Sequence, residues 1–406
     1  MRKPAIERPF YLEKLKSYTG SDIIRVITGV RRCGKSSLLL IYKAWLEEQY
    51  GEGSVIYLSF DGPDFILDKS IYKMTDSIKS VMTNDTRFML LDEVQLMEGW
   101  ETVVNAYHSM GQYEITITGS NAKMLSSELA TMLTGRYIEI EMFPLSFYEY
   151  SQFKSQQGVG QDKLFEEYVM YGGFPITALL DEAMQKTDML KSVLDSILFN
   201  DVRPKIGSDA NNETLSRLVA FLNDSIGFPV SRNNLIHRIK SAGYKMYTDL
   251  ISRYMDAFES SFLYYNAEFH TVKGGERFGQ TDKYYPVDTG FIYLTKGNMS
   301  ENYGSLLENL VFLELKRRGM KVSVGRNKDK SEVDFIAVKG AEKTYIQVLA
   351  TLADENTRRR EFKALESIDD NFPKLILSMD RHDFSHGGIR NIYLPDFLMA
   401  TVWKER

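Results

Sequence analysis

The stretch that most constrains this chain is GVRRCGKSS, residues 29–37, which fits the pattern Gly-x-x-x-x-Gly-Lys-Ser at every defined position. An apolar run, DIIRVIT (22–28), precedes it, and SLLLIYKAWLEEQY follows with the length and spacing of a helix. Glycines let successive backbone N–H groups turn toward phosphate oxygens, and the start of the following helix adds its positive end. The sequence therefore predicts a strand, a phosphate-binding loop and a helix.

The residues of this loop have expected roles. Lys35 would reach the β- and γ-phosphates of ATP, and the Ser36 hydroxyl would bind Mg²⁺. Arg31 and Arg32 would bring two positive charges near a polyphosphate or else face solvent, and the sequence leaves these alternatives open. The predicted nucleotide-binding residues of the loop are Gly29, Arg31, Arg32, Cys33, Gly34, Lys35, Ser36 and Ser37.

A second motif lies in RFMLLDE (87–93), an apolar run that ends in two carboxylates. Asp92 would hold Mg²⁺ through water, and Glu93 would act as the general base that polarises the attacking water. An apolar run with two acids at its end is common by itself. Because a phosphate-binding loop precedes it, with one strand between, the two motifs together predict a site for ATP and Mg²⁺.

Two polar positions further along are candidates for the same site. Asn121 follows the strand YEITITG (113–119), where it would orient water or sense the γ-phosphate, although Gly-Ser-Asn is also an ordinary turn. Arg136 precedes the strand YIEIEMF (137–143). It would stabilise transition-state charge on its own or a neighbouring subunit's nucleotide, or pair at the surface with a glutamate of that strand.

The runs GVRRCGKSSLL, LLDEVQ and ITGSNAKMLSSELATMLTGRYIEIEMFPLSFYEY resemble a large bacterial and archaeal family of AAA-type ATPases, allied to the signalling STAND group. In that family a C-terminal domain of unknown function follows the ATPase core. The likeness continues through YGGFP (171–175), KYYPVDTGFIYL (283–294), GSLLENLVFLEL (304–315) and EVDFIAV (332–338). It implies that Gly173 and Pro175 of a helical lid face the nucleotide base. It also implies a role for Arg31-Arg32 in the loop or at an interface.

The predicted fold class is α/β: a P-loop AAA-type parallel sheet, a helical lid, a winged-helix module and a C-terminal α/β restriction-endonuclease-like domain. Polar, glycine-bearing stretches suggest the boundaries, which give domains at 1–150, 151–205, 206–270 and 271–406. The winged-helix module is locally basic, with five Lys or Arg against one acid between Ser231 and Tyr254. Contact with DNA and packing on the ATPase core both remain open for it.

Glu308 on a predicted helix, with Asp334 and Gln347 on adjoining strands, resembles the centre of restriction-endonuclease-like nucleases, where such groups hold Mg²⁺ for phosphodiester hydrolysis. A competent centre has a lysine two residues after Gln347, but Leu349 stands there. A lysine from the next helix, such as Lys363, would have to replace it. The alternatives are a metal-dependent nuclease and a degenerate domain that serves binding or dimerisation.

Composition limits the cellular compartment and the partners that these domains can have. The net charge of -5 argues against indiscriminate coating of nucleic acid, and the single cysteine, Cys33, excludes an internal disulfide and fits a reducing compartment. The start MRKPAIERPF lacks a signal-type apolar core, and no run approaches the ~20 apolar residues of a membrane span. We therefore expect a soluble, cytoplasmic protein with no membrane partner.

The function expected from the sequence is a nucleotide-driven switch that binds and hydrolyses ATP with Mg²⁺. An ATP-regulated metal-dependent nuclease and a non-hydrolysing ATP-binding interaction module are the alternatives. The expected partners, besides ATP, are DNA, a protein that the sequence does not identify and further copies of the chain in a homo-oligomer.

Overall fold

The computed structural model describes residues 6–121, 133, 135–155, 158–297, 303–327 and 331–400. Most of the predicted run between Asn121 and Arg136 and part of the glutamine-rich loop near residue 155 lie outside these residues. The chain divides into two compact units, Met1–Pro144 with Ser260–Phe262, and Leu145–Glu259 with Leu263–Arg406. Within the described ranges, no helix is long and apolar enough to cross a membrane.

Five parallel strands form the sheet of the first unit, in the order β2-β3-β4-β1-β5. Each strand falls within a run predicted from its apolar residues: β1 Ile24–Thr28, β2 Val55–Ser59, β3 Phe88–Asp92, β4 Glu114–Gly119 and β5 Tyr137–Glu141. β1 and β3 are buried along their whole length, as expected for parallel strands covered on both faces. The predicted parallel sheet is confirmed.

The helices of the first unit are α1 Pro9–Ser17, α2 Lys35–Tyr50, α3 Ile71–Val81 and α4 Trp100–Ser109. The core next to the sheet contains Met74 and Ile78 from α3, Val104 from α4 and Leu91 from β3. Because β4 lies between β1 and β3, the carboxyl ends of these three strands meet at one edge of the sheet. That edge carries both predicted motifs.

The second unit begins with a long helical region. Its helices are α5 Phe147–Ser155, α6 Gln161–Tyr171, α7 Pro175–Ala178, α8 Ala183–Ile197, α9 Arg203–Ile206, α10 Asn212–Asp224, α11 Arg232–Ser241, α12 Thr248–Ser260, α13 Gly290–Lys296, α14 Tyr303–Arg317, α15 Glu355–Glu366 and α16 Leu394–Met399. Side-chain hydrogen bonds cap the N-termini of several of these helices. Asn211 accepts the N–H of Thr214 at the start of α10, and Asp354 accepts the N–H of Thr357 at the start of α15.

A mixed seven-stranded sheet, in the order β12-β11-β10-β9-β8-β6-β7, completes this unit. Its strands are β6 Tyr264–Thr271, β7 Arg277–Pro286, β8 Lys321–Arg326, β9 Glu332–Lys339, β10 Glu342–Val348, β11 Lys374–Ser378 and β12 Ile389–Tyr393. The β6–β7 hairpin follows α12, where the wing was predicted, but β6 also pairs in parallel with β8. The hairpin therefore belongs to the larger sheet, and the predicted boundary after residue 270 falls at the end of β6.

Candidate active site

The loop between β1 and α2 has the backbone that a phosphate cradle needs. Gly29 and Gly34 have φ angles of 143° and 108°, which residues with a side chain rarely adopt. At Gly29 a Cβ atom would also lie 2.1 Å from the carbonyl oxygen of Met142. Since α2 begins at Lys35, directly after Gly34, the unpaired N–H groups of its first turn adjoin the loop.

Lys35 is buried inside this loop. Its Nζ atom donates to the carbonyl oxygens of Gly29, at 2.9 Å, and Val30, at 3.2 Å. The same ammonium lies 3.9 Å from Oε1 of Glu93. The fold therefore brings the lysine of the first motif beside the second acid of the other motif.

Asp92, at the end of β3, is held by three hydroxyl groups. Tyr57 donates to Oδ2 at 3.0 Å and Ser59 to the same oxygen at 3.4 Å, while Thr118 donates to Oδ1. Burial and the neighbouring Asp92 charge raise the pKa of Tyr57, so its hydroxyl stays protonated and can donate. Sequence reasoning missed all three residues. The signal lay in the sheet order, because Ser59 pairs with Asp92 in the β2–β3 register.

Glu93 is fixed between β3 and β4. Its φ of 56° is left-handed, and its N–H donates to Oγ1 of Thr118 at 2.9 Å. The Gln95 amide donates to Oε2 of Glu93 and, at 3.4 Å, to the hydroxyl of Ser120. Asn121 is the second residue after β4 and is half-buried. Gln95 thus joins Glu93 to Ser120, the neighbour of Asn121, and the phosphate-sensing role of Asn121 stays a prediction.

The side chain of Cys33 does not line the loop. Its thiol is fully buried, and burial raises the pKa of that thiol above its usual value. The Arg8 guanidinium donates to the Cys33 carbonyl at 3.0 Å and to the Phe143 carbonyl at 2.8 Å. The Cys33 thiol therefore cannot contact a nucleotide in this conformation, and the assignment of Cys33 to the nucleotide-binding loop stays a prediction. Arg8, which no motif indicated, ties the loop to the end of the sheet.

The other loop side chains differ in exposure. Arg31 is half-buried, while Arg32 is exposed and has a left-handed φ of 68°. Ser36 is half-buried in the first turn of α2, and Ser37 is exposed. The Ser36 position agrees with a hydroxyl that faces the cradle. The roles proposed for the arginine pair stay predictions.

Arg136 lies at the amino-terminal ends of the strands, whereas the phosphate loop lies at their carboxyl-terminal ends. In the β1–β5 register Ile24 pairs with Tyr137, so Arg136 adjoins the amino end of β1, whereas the loop follows its carboxyl end. The strand between separates them by roughly 16 Å, farther than an arginine side chain reaches. Its Nη1 atom lies 3.3 Å from Oδ2 of Asp22, not from a glutamate of β5. This distance argues against an action of Arg136 on its own nucleotide. The residue forms a surface ion pair, with Asp22 as its partner, and a role on a neighbouring subunit's nucleotide stays a prediction.

The predicted lid turn, YGGFP, is fixed within the second unit. The Gly173 N–H donates to Oδ2 of Asp288 at 2.7 Å, and the Gly173 carbonyl accepts the N–H of Leu145 at 2.7 Å. A Cβ atom would lie 2.2 Å from the Leu145 carbonyl at Gly173, and 1.6 Å from Asp288 at Gly172. Pro175 begins α7. The close contacts explain the two glycines, and the proposed contact of Gly173 and Pro175 with a base stays a prediction.

The second predicted site, Glu308 with Asp334 and Gln347, is occupied by a lysine from β7. Nζ of Lys283 lies 2.8 Å from Oε1 of Glu308, 2.6 Å from Glu332 and 3.9 Å from Asp334, and its side chain is 1% exposed. Burial alone would lower the pKa of Lys283, but the three carboxylates outweigh it and raise that pKa. The lysine therefore stays charged and neutralises part of the cluster.

Several polar atoms of this cluster already form hydrogen bonds. Oε1 of Glu308 also accepts the Tyr285 hydroxyl, and Oδ2 of Asp334 accepts the Val348 N–H. The Gln347 amide bonds through its oxygen to the Asp334 N–H and through its nitrogen to Glu361. No group of three or more His, Cys, Asp or Glu in the described residues is arranged to hold a metal ion. The Lys283 ammonium between the acids disfavours a metal ion at this place, and the metal site suggested by the sequence stays a prediction.

Three family models match the chain. One is described as an AAA domain and matches residues 21–151, and two are described as domains of unknown function, DUF8612 over 162–302 and DUF4143 over 303–397. An uncharacterized protein of Haemophilus influenzae is 36% identical over 98% of this chain and 100% of its own length. An uncharacterized protein of Methanocaldococcus jannaschii is 29% identical over 84% of this chain and 78% of its own.

Among solved structures, the Walker-type ATPase PABY2304 of Pyrococcus abyssi is similar in fold, with a TM-score of 0.51 and 15% identity over 73% of this chain and 97% of its own. The parallel sheet, the phosphate loop and the acid pair define an ATP-binding protein of the P-loop class. The chain belongs to a family of AAA-type P-loop ATPases that includes the Haemophilus influenzae protein and whose C-terminal domain is of unknown function.

Proposed function

We propose that this protein is a Mg²⁺-dependent ATPase that works as a nucleotide-driven switch. The observation that carries the proposal is the convergence of Lys35, Asp92 and Glu93 at one edge of the parallel sheet. Thr118 and Gln95 hold the two carboxylates in place. Preorganised groups of this kind are what phosphoryl transfer requires, since its catalysis rests on positioning and charge stabilisation.

The residues present fit a magnesium ion bound together with ATP. Asp92 and the Ser36 hydroxyl are oxygen ligands, which Mg²⁺ prefers, and the hydroxyl groups around Asp92 orient its carboxylate. The protein offers few ligands of its own, as expected for an ion that takes most of its ligands from phosphates and water. When bound, the ion would neutralise charge on the β- and γ-phosphates.

Side chains of the protein would supply the remaining catalytic roles. Glu93 would accept the proton of the attacking water, and Lys35 would leave the loop carbonyls to stabilise phosphate charge. Asn121 would orient that water beside Glu93. Arg136 lies too far from its own loop, and we propose that it leaves its exposed pair with Asp22 to act on the nucleotide of a neighbouring copy. This role requires a homo-oligomer, which we include in the proposal.

A series of hydrogen bonds in the second unit could transmit a change of nucleotide state. Leu145, the first residue after the ATPase unit, bonds to Gly173 through its N–H and to the Tyr168 hydroxyl through its carbonyl. Gly173 in turn bonds to Asp288, which follows the last strand of the β6–β7 hairpin. A change in the backbone at Leu145 would therefore reach the lid turn and then the C-terminal sheet. We propose that nucleotide state is transmitted along this path.

DNA is the ligand that we propose for the second unit, besides a protein partner that its chemistry does not identify. The basic helices α11 and α12 are one candidate surface, but two of their cations are engaged within the unit. Arg253 pairs with Asp209 at 2.6 Å, and the Arg238 guanidinium lies 4.0 Å from the Phe221 ring centroid. These contacts reduce the charge that the helices can offer to phosphates.

Replacing Lys35 by alanine tests the proposed ATPase directly. The variant should lose ATP binding and phosphate release, because the cation that neutralises the β- and γ-phosphates is gone. The measurement is phosphate release and ATP titration for the wild type and the variant, with Lys43→Ala on the same helix as control. Tight ATP binding without phosphate release by the wild type would instead support a non-hydrolysing module.

Replacing Thr118 by valine should raise the Mg²⁺ concentration for half-maximal hydrolysis about ten-fold, because the isosteric change removes a hydroxyl that orients Asp92. The rate at saturating Mg²⁺ should also fall, because the same hydroxyl accepts the N–H of Glu93. Thr116→Val is the matched control on the same strand, since the Thr116 hydroxyl accepts from Arg25 and not from a site residue. An equal Mg²⁺ requirement in both variants would contradict the role of Thr118.

A further inference from the structure

A cleft of about 590 Å³ lies on the C-terminal part of the second unit, against one face of α15. The helix contributes Arg358, Arg359, Phe362 and Lys363, which follow the spacing of a single helical face. The opposite wall comes from the segment before β12, with Phe384 and His386. The volume falls within the usual range of ligand sites, roughly 300–1,000 Å³.

The cleft is positively charged although the whole chain is acidic. It holds three cations against one acid, Glu366. Arg359 is paired with Glu355 on the same helix, but both side chains are well exposed, so the pair is worth little and opens easily. Lys363 is exposed. The cleft therefore offers cations that an anionic ligand can reach.

Aromatic side chains lie next to these cations. The guanidinium of Arg358 lies 5.3 Å from the ring centroid of Phe384, and the ring of Phe384 contacts that of His382 at 4.7 Å. Phe384 is half-buried and His386 is exposed, so each keeps a free surface. Aromatic rings and arginine planes are the groups on which unpaired bases stack.

We infer that this cleft binds single-stranded nucleic acid, with phosphates on Arg359 and Lys363 and a base against Phe384. A concave cleft of this volume admits one or two nucleotides of a single strand, whereas duplex DNA is read by elements that project into its groove. An acidic peptide would satisfy the cations but leave the ring surfaces unused. The inference specifies where the proposed DNA contact lies, and it does not depend on ATP hydrolysis.

The bound strand should remain uncut. Glu361 of α15 accepts the Gln347 amide and so adjoins the acidic cluster. Lys363 lines the cleft rather than that cluster, so it does not supply the lysine that a nuclease centre lacks. The Lys283 ammonium lies between the acids instead. The cleft is therefore a binding site beside a centre that is not arranged to hold a metal ion.

Fluorescence anisotropy with a labelled oligothymidylate tests the inference on the full chain without nucleotide. The double variant Arg359→Gln/Lys363→Gln should weaken binding at least about ten-fold at low salt and reduce the salt slope of log Kd by about 1.4, twice the ~0.7 expected for each phosphate contact. Arg217→Gln/Arg238→Gln, in the smaller cleft between α10 and α11, is the matched control. Phe384→Leu should weaken binding about ten-fold through lost stacking.

Folding is checked by unchanged melting temperature and unchanged ATP binding in every variant. Loss of binding in the control but not in the cleft variants would place the nucleic acid on the helices and overturn the inference. Absence of binding by the wild type, tighter binding of duplex DNA or displacement of the strand by polyglutamate at equal charge would also overturn it. Because no ATP is present, a protein that fails to hydrolyse ATP can still pass this test.

Discussion

Replacing Glu93 by glutamine should lower the rate of ATP hydrolysis about 100- to 1,000-fold, the usual contribution of a positioned general base. ATP binding should remain intact or tighten slightly. The physical reason is that Glu93 lies 3.9 Å from the Lys35 ammonium, and a neutral amide there no longer competes with phosphate for that cation. Phosphate release gives the rate, and titration calorimetry gives the affinity.

The control for this change is Glu98→Gln, the same substitution on an exposed residue of the same segment. It should leave both rate and affinity unchanged. A Glu93→Gln variant that hydrolyses ATP at the wild-type rate would show that another group accepts the proton. Equal loss of binding and turnover would instead indicate that Glu93 serves mainly to shape the loop.

Replacing Lys283 by methionine should destabilise the second unit by about 3–5 kcal/mol, the typical cost of leaving a buried charge without its partner. Methionine keeps the length of the side chain, so the loss arises from the unpaired charges of Glu308, Glu332 and Asp334. Urea unfolding followed by circular dichroism measures the effect. Lys273→Met, which removes an exposed pair with Asp369, should change the free energy of unfolding by less than about 1 kcal/mol.

The difference in unfolding free energy between the wild type and Lys283→Met should change with pH in a defined direction. Burial and the neighbouring Glu308 charge already raise the pKa of Asp334, and the loss of Lys283 should raise it further. A carboxyl whose pKa is higher in the folded state stabilises the fold when protonated and loses this contribution as pH rises. The gap between wild type and Lys283→Met should therefore shrink toward pH 4.

The metal-site hypothesis for this cluster has its own test. Stabilisation of the wild type by Mn²⁺ without ATP, lost in Glu308→Gln, would support it.

Most of the nucleotide site could be predicted from the sequence. The positions of Gly29, Lys35, Asp92 and Glu93 agree with their motifs because each motif is contiguous and the strand–loop–helix context fixes its geometry. The groups around the acids could not be predicted in the same way. Thr118 meets Asp92 only because β4 lies beside β3, and motif matching does not give the strand order.

The surroundings of three assigned residues depended on distant segments, which motif matching does not place. The position of Arg136 depended on the β1–β5 register, which places it at the far edge from the loop. Cys33 lies in the loop by sequence, but its thiol turns into the core. The acidic cluster around Glu308 receives Lys283 from a strand outside the motif that suggested a metal site.

The sequence by itself determined the chemistry of the phosphate loop and the acid pair, together with the parallel sheet that carries them. Local residue types and apolar periodicity encode these features within short segments. The tertiary structure alone decided which side chains meet across the sheets: Thr118 with Asp92, Lys283 with Glu308, and the cations of α15 with Phe384. The reason is physical, since strand order, register and burial arise from pairing between segments far apart in the chain.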